Sequence, residues 1–439
     1  MKNLLTRLTR NFSGHAGLVM LLFGIEGIFL QFATSINSMG NSLYATSMGA
    51  TDSQIGMIQM IPNLVAVAIL FPLGILSDRL KSSKTVPLAA LIVMAVAYFG
   101  MGSVPMLGEA RMLGFFVCLA FTVGGLAVYN GMWQDFFGTV TAIEERNGVF
   151  AFRNRFMFLI GIIAPIICGI LMGFFPTNEG TQMILRIFFY ISGVLMLLQA
   201  YVIARIPGGQ RSAAQLEAMK AKRFSPKDVT TAIQDAAHNK DFLMFFLPIL
   251  FFYVGWHLDW SMWYIGMTQY VHMDASTISI YNGIFSVGQL VAIGIIAKLV
   301  SRKGPDFTIL IGMFGLVLCS VSMMICANLP VNVAPWIFTA LITIVNAPQC
   351  AIALCVVQML LKVAPERNRS LIISLYTMVI TLSNSLTPFL GVQLYTALGA
   401  DNFAFYFTNI FTMIWRTAAF AICVWRYLTL KKQGKIEIA

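Results

Sequence analysis

Twelve apolar runs, separated by short charged or turn-rich segments, limit what this chain can become. They lie at residues 17–40, 55–76, 86–107, 112–140, 156–175, 183–204, 242–270, 278–300, 307–327, 333–361, 371–398 and 403–428, numbered here as spans 1 to 12. A hydrocarbon core of about 30 Å needs roughly 20 apolar residues per helix, whereas a membrane barrel strand needs only about 10 alternating ones. The runs therefore predict helices. Charged residues make up only 11% of the 439 and hydrophobic ones 58%, too little charge to cover a soluble surface of this size. The expected fold is an all-α integral membrane protein.

Lys and Arg alternate with the spans. All but three of the 29 (Arg111, Arg186 and Arg416) fall on one side if successive spans cross in opposite directions. By the positive-inside rule that side is the cytoplasm, which predicts a multi-pass cell-membrane protein with both termini cytoplasmic. The net charge of +11 then reflects loop topology and attraction to anionic lipid, so no nucleic-acid partner is expected. The first run is too long for a signal-peptide core and reads as a retained span. All seven cysteines lie in or beside apolar runs without a CxxC pair, which argues against disulfides and metal sites. No cofactor is expected.

The chain reads AIEERNGVFAFR at 142–153, after span 4, and VAPERNRSLIIS at 363–374, after span 10. Two ERN triplets at equivalent places in two sets of six spans point to a duplication. The expected domains are an N-terminal six-helix bundle (1–205), a cytoplasmic linker (206–241) and a C-terminal six-helix bundle (242–439). The linker has a Gly-Gly pair and helix-forming stretches, and is expected to be partly helical.

After span 2 comes GILSDRLKSSK (74–84). This resembles the motif Gly-x-x-x-Asp-Arg/Lys-x-Gly-Arg/Lys-Arg/Lys of the major facilitator superfamily, and with the duplication the resemblance covers the whole chain. Gly74, Asp78 and Arg79 match; Lys81 stands where the motif has Gly, and the later basic residue is displaced to Lys84. The corresponding place in the second half, GIIAKLVSRKG, keeps Gly294 and has Lys298 where the acid belongs. The resemblance implies two pseudo-symmetric bundles, transport by alternating access, and a cytoplasmic latch in which Asp78 meets the start of helix 11, with Asp135 as a second acid. Without the resemblance, Asp78, Arg79 and Lys81 read as a solvated loop.

The first span of each three-span set is the polar one. Span 1 carries Glu26, Gln31, Thr34, Asn37 and Asn41; span 4 carries Asn130, Trp133 and Gln134; span 7 carries His257 and Asp259; span 10 carries Asn346, Gln349 and Gln358. Polar groups in hydrocarbon need partners or water, so these four spans are expected to face a wet interior. The resemblance implies the same, since helices 1, 4, 7 and 10 line that family's cavity. Asn37, Asn130, Trp133, Gln134, Asn346 and Gln349 are accordingly candidate solute contacts.

Within GWHLDWSMWYIG (255–266), a continuous helix places Trp256, Asp259, Trp260 and Trp263 on one stripe, with His257 and Tyr264 at its margin. The tryptophans form either an interfacial belt or a stacking platform. Asp259 favours the platform, because a mixed aromatic and acidic face suits a hydroxyl-rich solute. His257 either contacts solute or satisfies a neighbouring helix. Glu26, between Gly24 and Gly27, is either a packing-buried acid paired across helices or a proton carrier. Asp259 is a second proton-coupling candidate, and Arg416, in MIWRTAA, calls for a structural partner or snorkelling.

Span 5 reads GIIAPIICG (161–169), similar to the family's antiporter signature at Gly161, Pro165 and Gly169; it is equally a Pro kink with small packing residues. Two functions therefore stay open. One is a proton-coupled carrier of a small, sugar-like polar solute; the other is a proton-coupled drug or multidrug efflux antiporter. A non-transporting receptor or a membrane enzyme fits less well, because HExxH and GxSxG are absent and only four His exist. The expected partners are the solute, H+ and the bilayer, and the expected state is a monomer. Reporter fusions after Lys84, after Ala213 and at the C-terminus should report cytoplasm, and one at Asn328 the outside. An outside signal after Ala213 would undo the twelve-span count.

Overall fold

The computed structural model describes residues 14–142, 144–211, 217, 226–365 and 369–436; at some of these, among them 74, 75, 78 and 79, it describes the backbone alone. The helices are α1 (Gly14–Ser47), α2 (Asp52–Arg79), α3 (Thr85–Ser103), α4 (Arg111–Val140), α5 (Arg146–Gly173), α6 (Asn178–Arg205), α7 (Pro226–His238), α8 (Lys240–His257), α9 (Trp260–Ile265), α10 (Ala275–Lys303), α11 (Pro305–Cys326), α12 (Ala334–Asn346), α13 (Cys350–Val363), α14 (Arg369–Ala397) and α15 (Asn402–Lys432). Among the described residues there is no β-strand.

Among the described residues, eleven apolar helical stretches are long enough to cross a bilayer. The longest, Thr85–Val140, has 56 residues. It holds two of the expected spans, α3 and α4, which meet at a 3-10 segment (Val104–Ala110) where Gly108 takes a φ of 57°. That joint reconciles eleven stretches with twelve crossings. Large apolar side chains face outward, as lipid-facing helices require: Val96 is 67% exposed, Leu113 69% and Ile344 72%.

Local chemistry starts several helices where the sequence has a capping residue. Thr177 accepts from the Gly180 amide at 3.0 Å, Asn239 from Phe242 at 2.9 Å, Asp274 from Thr277 at 2.7 Å and Asp401 from Ala404 at 2.9 Å. Each side chain fills an amide that the first turn leaves unpaired.

Two expected spans are not single helices. Span 10 divides into α12 and α13 around a 3-10 turn, Ala347–Gln349, at Pro348. Span 7 divides into α8 and α9, with Leu258 and Asp259 between them, and continues into a π turn at Gly266–Tyr270. The single stripe expected across Trp256, Asp259, Trp260 and Trp263 is therefore interrupted at its centre. Helix α7 lies within the expected linker, most of whose remaining residues, 212–216 and 218–225, are outside those described.

The chain forms two compact units, Met1–Ala50 with Ile61–Arg223, and Thr51–Met60 with Phe224–Ala439. In the first, α1 packs against α5 and α6, and α3 against α4 and α6. In the second, α8 packs against α14 and α15, and α11 against α12, α13 and α15. Residues 206–211, the start of the expected cytoplasmic linker, belong to the first unit.

Candidate functional site

Each unit buries one acid from its first long span, and each acid is held by an arginine. In the first unit the acid is Glu26 of α1, which has no exposed surface. Arg153 of α5 donates from Nε to Glu26 Oε2 at 2.6 Å and from Nη2 to Oε1 at 3.1 Å. Tyr129 of α4 donates to Oε1 at 2.5 Å, and Gln199 Nε2 of α6 donates to the same oxygen at 2.9 Å. Four donors from three helices thus converge on one carboxylate. Gly27 makes this approach possible: a Cβ there would lie 2.8 Å from Arg153 Cγ. The proton-carrier role expected of Glu26 thus meets a carboxylate with both oxygens occupied. To take up a proton it must give up a bidentate charge-assisted pair.

Arg153 also lies over the Trp133 ring, with Cζ 4.2 Å from its centroid, and Phe137 stacks on that ring at 4.8 Å. Trp133 is buried, so this candidate solute contact is covered by its own unit. Asn37 is buried and donates to the Tyr98 hydroxyl at 2.7 Å. Asn130 and Gln134 are exposed. At Gly161 of the span 5 motif, a Cβ would lie 3.1 Å from Gln31 Nε2, so this glycine admits a side chain of α1. Pro165 and Gly169 are buried on the same helix.

In the second unit the acid is Asp259, at the break between α8 and α9. The last carbonyls of α8 lack intrahelical donors, and Arg416 of α15 supplies them. Its Nε donates to Gly255 O at 3.3 Å and Nη2 to Trp256 O at 3.1 Å. Nη2 also donates to Asp259 Oδ1 at 2.5 Å, while Nη1 donates to Leu316 O at 3.0 Å and Ser320 Oγ at 3.1 Å, both on α11. A guanidinium has five N–H donors, and all five are used. A cation at the C-terminal end of α8 also complements the helix dipole. The opposite wall is tight: at Gly391 of α14, a Cβ would lie 1.9 Å from Leu258 O.

Arg416 is 2% exposed, so the sequence expectation of a structural partner finds one in Asp259 itself. The second carboxylate oxygen, Oδ2, is buried and has no partner among the described residues. Asp259 itself lines a small cavity, together with Leu258, Met262, Gly391, Leu394, Thr408, Asn409 and Thr412.

Around this break stands an aromatic cluster. Tyr253 and Trp256 stack at 5.7 Å, Trp256 meets Trp260 edge-on at 5.8 Å, and His257 meets Trp260 edge-on at 4.7 Å. His257 is buried, its Nδ1 3.1 Å from Ser383 Oγ, whereas Trp256 and Trp260 are half-exposed. Trp263 departs from them and packs on Phe338 of α12 at 5.4 Å. Asn346 and Gln349 are half-buried, and Asn346 Oδ1 has no partner among the described residues.

The gate residues Gly74, Asp78 and Arg79 are described by backbone alone, and the latch expected of Asp78 lies outside the described side chains. Asp135 pairs with Arg211, a residue that the sequence placed in the linker. Arg153 and Arg426 were likewise counted among loop charges, yet both are buried, and Arg426 pairs with Asp306 at 2.7 Å. The signal that finds such partners is the buried acid: an intramembrane carboxylate demands a cation, and basic residues near span ends are the nearest supply.

A family model described as Major Facilitator Superfamily matches residues 21–348 and 249–437. The chain belongs to the Major Facilitator Superfamily. Solved structures agree on the fold. A bacterial homolog to the human lysosomal transporter Spinster superposes with a TM-score of 0.65 at 13% identity, covering 96% of this chain and 98% of that one. The nucleoside transporter NupG gives 0.64 at 14% over 93% and 99%. A bacterial homologue of the iron transporter ferroportin gives 0.65 at 13% over 93% and 98%. The sequence matches none of the curated proteins. This superfamily member is a multi-pass membrane transporter, not an enzyme.

The first-unit cluster makes a direct prediction. Arg153→Met leaves Glu26 buried without its cation and should lower stability by about 3–5 kcal/mol, read as a lower thermal midpoint. Glu26→Gln combined with Arg153→Met should recover most of that loss. A double variant no more stable than the single one would show that the two side chains do not act as a pair.

Proposed function

We propose that this transporter is a secondary active carrier, in the cell membrane, of a small neutral polar solute of the sugar-like class, working by alternating access and driven by protons. The observation that carries the reading is the state of the two acids within the spans. A site for lipophilic cations needs an available carboxylate, whereas Glu26 and Asp259 are both held by arginines. The half-exposed indoles of Trp256 and Trp260 remain for a neutral ligand, whose C–H faces stack on rings while its hydroxyls bond to polar side chains.

The two acids differ in what protonation costs. Arg153 has Glu26 as its anion, and losing that charge strands a buried guanidinium. Arg416 keeps four neutral acceptors if Asp259 is protonated, and Asp259 Oδ2 is free of partners among the described residues. Asp259 is therefore the acid assigned to proton coupling, and Glu26 is a structural counter-ion. The span 5 motif, which suggested efflux, is assigned to packing, since Gly161 receives Gln31.

A thermal-shift screen of purified protein against neutral sugars and lipophilic cations tests the solute class. A neutral sugar should stabilise the protein, and Trp260→Ala should weaken its binding about tenfold through lost stacking. In proteoliposomes, Asp259→Asn should abolish accumulation against a gradient and spare solute exchange, which needs no net proton movement. Stabilisation by lipophilic cations alone would move the reading to drug antiport.

A further inference from the structure

The segment IPGGQR, 206–211, leaves the last span of the first unit as a turn and is stitched to the loop between α2 and α3. The Ser83 amide donates to Gly209 O at 2.9 Å, and its hydroxyl donates to the same oxygen at 3.1 Å. The Arg211 amide donates to Lys81 O at 2.9 Å, and Ser82 and Gln210 form an antiparallel bridge. Lys84 donates from Nζ to Ile206 O, and burial lowers its pKa from the ordinary lysine value. Gly208 and Gly209 have φ of 88° and 85°, the left-handed region that only glycine occupies cheaply, so the turn depends on this pair.

Arg211 completes the stitching from the side-chain level. It is buried, donates from Nη1 to Ser77 O, and donates from the same nitrogen to Leu80 O at 3.0 Å. Its Nη2 pairs with Asp135 Oδ2 on α4. One guanidinium thus caps the C-terminal end of α2 and ties it to α4, a position that also suits the helix dipole. Beyond Arg211 the chain runs on to the second unit.

We propose that residues 206–211 are a strap that holds the basic-loop ends of α2 and α4 together, with Arg211 as its positioning residue, and that this hold sets the balance between the access states. Arg211 touches no solute; it sets the balance between the two access states by holding the ends of α2 and α4 together. This rests on the alternating-access reading above.

The test uses full-length protein in nanodiscs with spin labels at Arg155→Cys and Arg302→Cys, the native cysteines replaced, and distances read by pulsed electron resonance. In parallel, hydrogen exchange is followed at the Ser83 and Arg211 amides. Arg211→Ala should expose both amides and change the ratio of the two distance populations by about threefold or more. Gly209→Val, which breaks the turn but keeps the guanidinium, should shift the ratio in the same direction. Asp135→Asn, at a side chain that is 41% exposed, gives a mild variant that should fold and shift the ratio less. Arg211→Lys should fall between, since an ammonium keeps the charge but not the fork. Lost amide protection with a wild-type distance distribution, even if the thermal midpoint falls, would make the strap a purely structural feature and overturn the proposal. A single unchanging distance in every variant would overturn it as well. The thermal-shift screen, which depends on neither label, then reports whether the transport reading itself stands.

Discussion

A guanidinium inside a hydrocarbon slab must find an acceptor for every N–H, and this need shapes both units. Arg416 reaches that condition by drawing on two helices, α8 and α11, and on Asp259 between α8 and α9, and the break in span 7 exists where its acceptors do. If α8 continued through Leu258 and Asp259, the Gly255 and Trp256 carbonyls would also take amides from their own helix, and Arg416 would have to share them. Arg153 is held differently. One carboxylate accepts two of its bonds, and the Trp133 face lies beneath it. The first solution leaves an acid with an oxygen to spare, and the second leaves none.

This difference gives the two units different chemistry. Glu26 and Asp259 sit on corresponding first spans, and each is buried beside a cation. Their partners come from different helices: α4, α5 and α6 for Glu26, but α11 and α15, with the α8 carbonyls, for Arg416 and Asp259. A carrier can then use one half to hold and the other to respond.

Much of this was legible in the sequence, for identifiable reasons. Span length and apolar continuity are direct consequences of bilayer thickness, so the helices, their number and the all-α class could be read from single runs. Glu26, Asp259 and Arg416 stood out because a charge in an apolar run is anomalous by itself. Arg153, Arg211 and Arg426 did not, because a basic residue near a span end satisfies the topology rule whether it faces solvent or a buried acid. The break at Leu258–Asp259 was also invisible. GWHLDW contains no proline there, and the residue that compensates for the lost helical bonds lies far along the chain, at position 416. The roles of Trp133 and Trp263 depended on which rings cover them, and periodicity does not report that.

The central claim is that Asp259 and Arg416 act as one unit at the span 7 break. A double-mutant cycle with Asp259→Asn and Arg416→Gln, read by reversible denaturation in lipid, measures their coupling free energy directly. The structure predicts a coupling of about 1–3 kcal/mol, each single variant costing more than its share of the double. Additive losses, with a coupling below about 0.3 kcal/mol, would mean that Arg416 caps α8 without regard to the acid, and that the assignment of Asp259 is wrong.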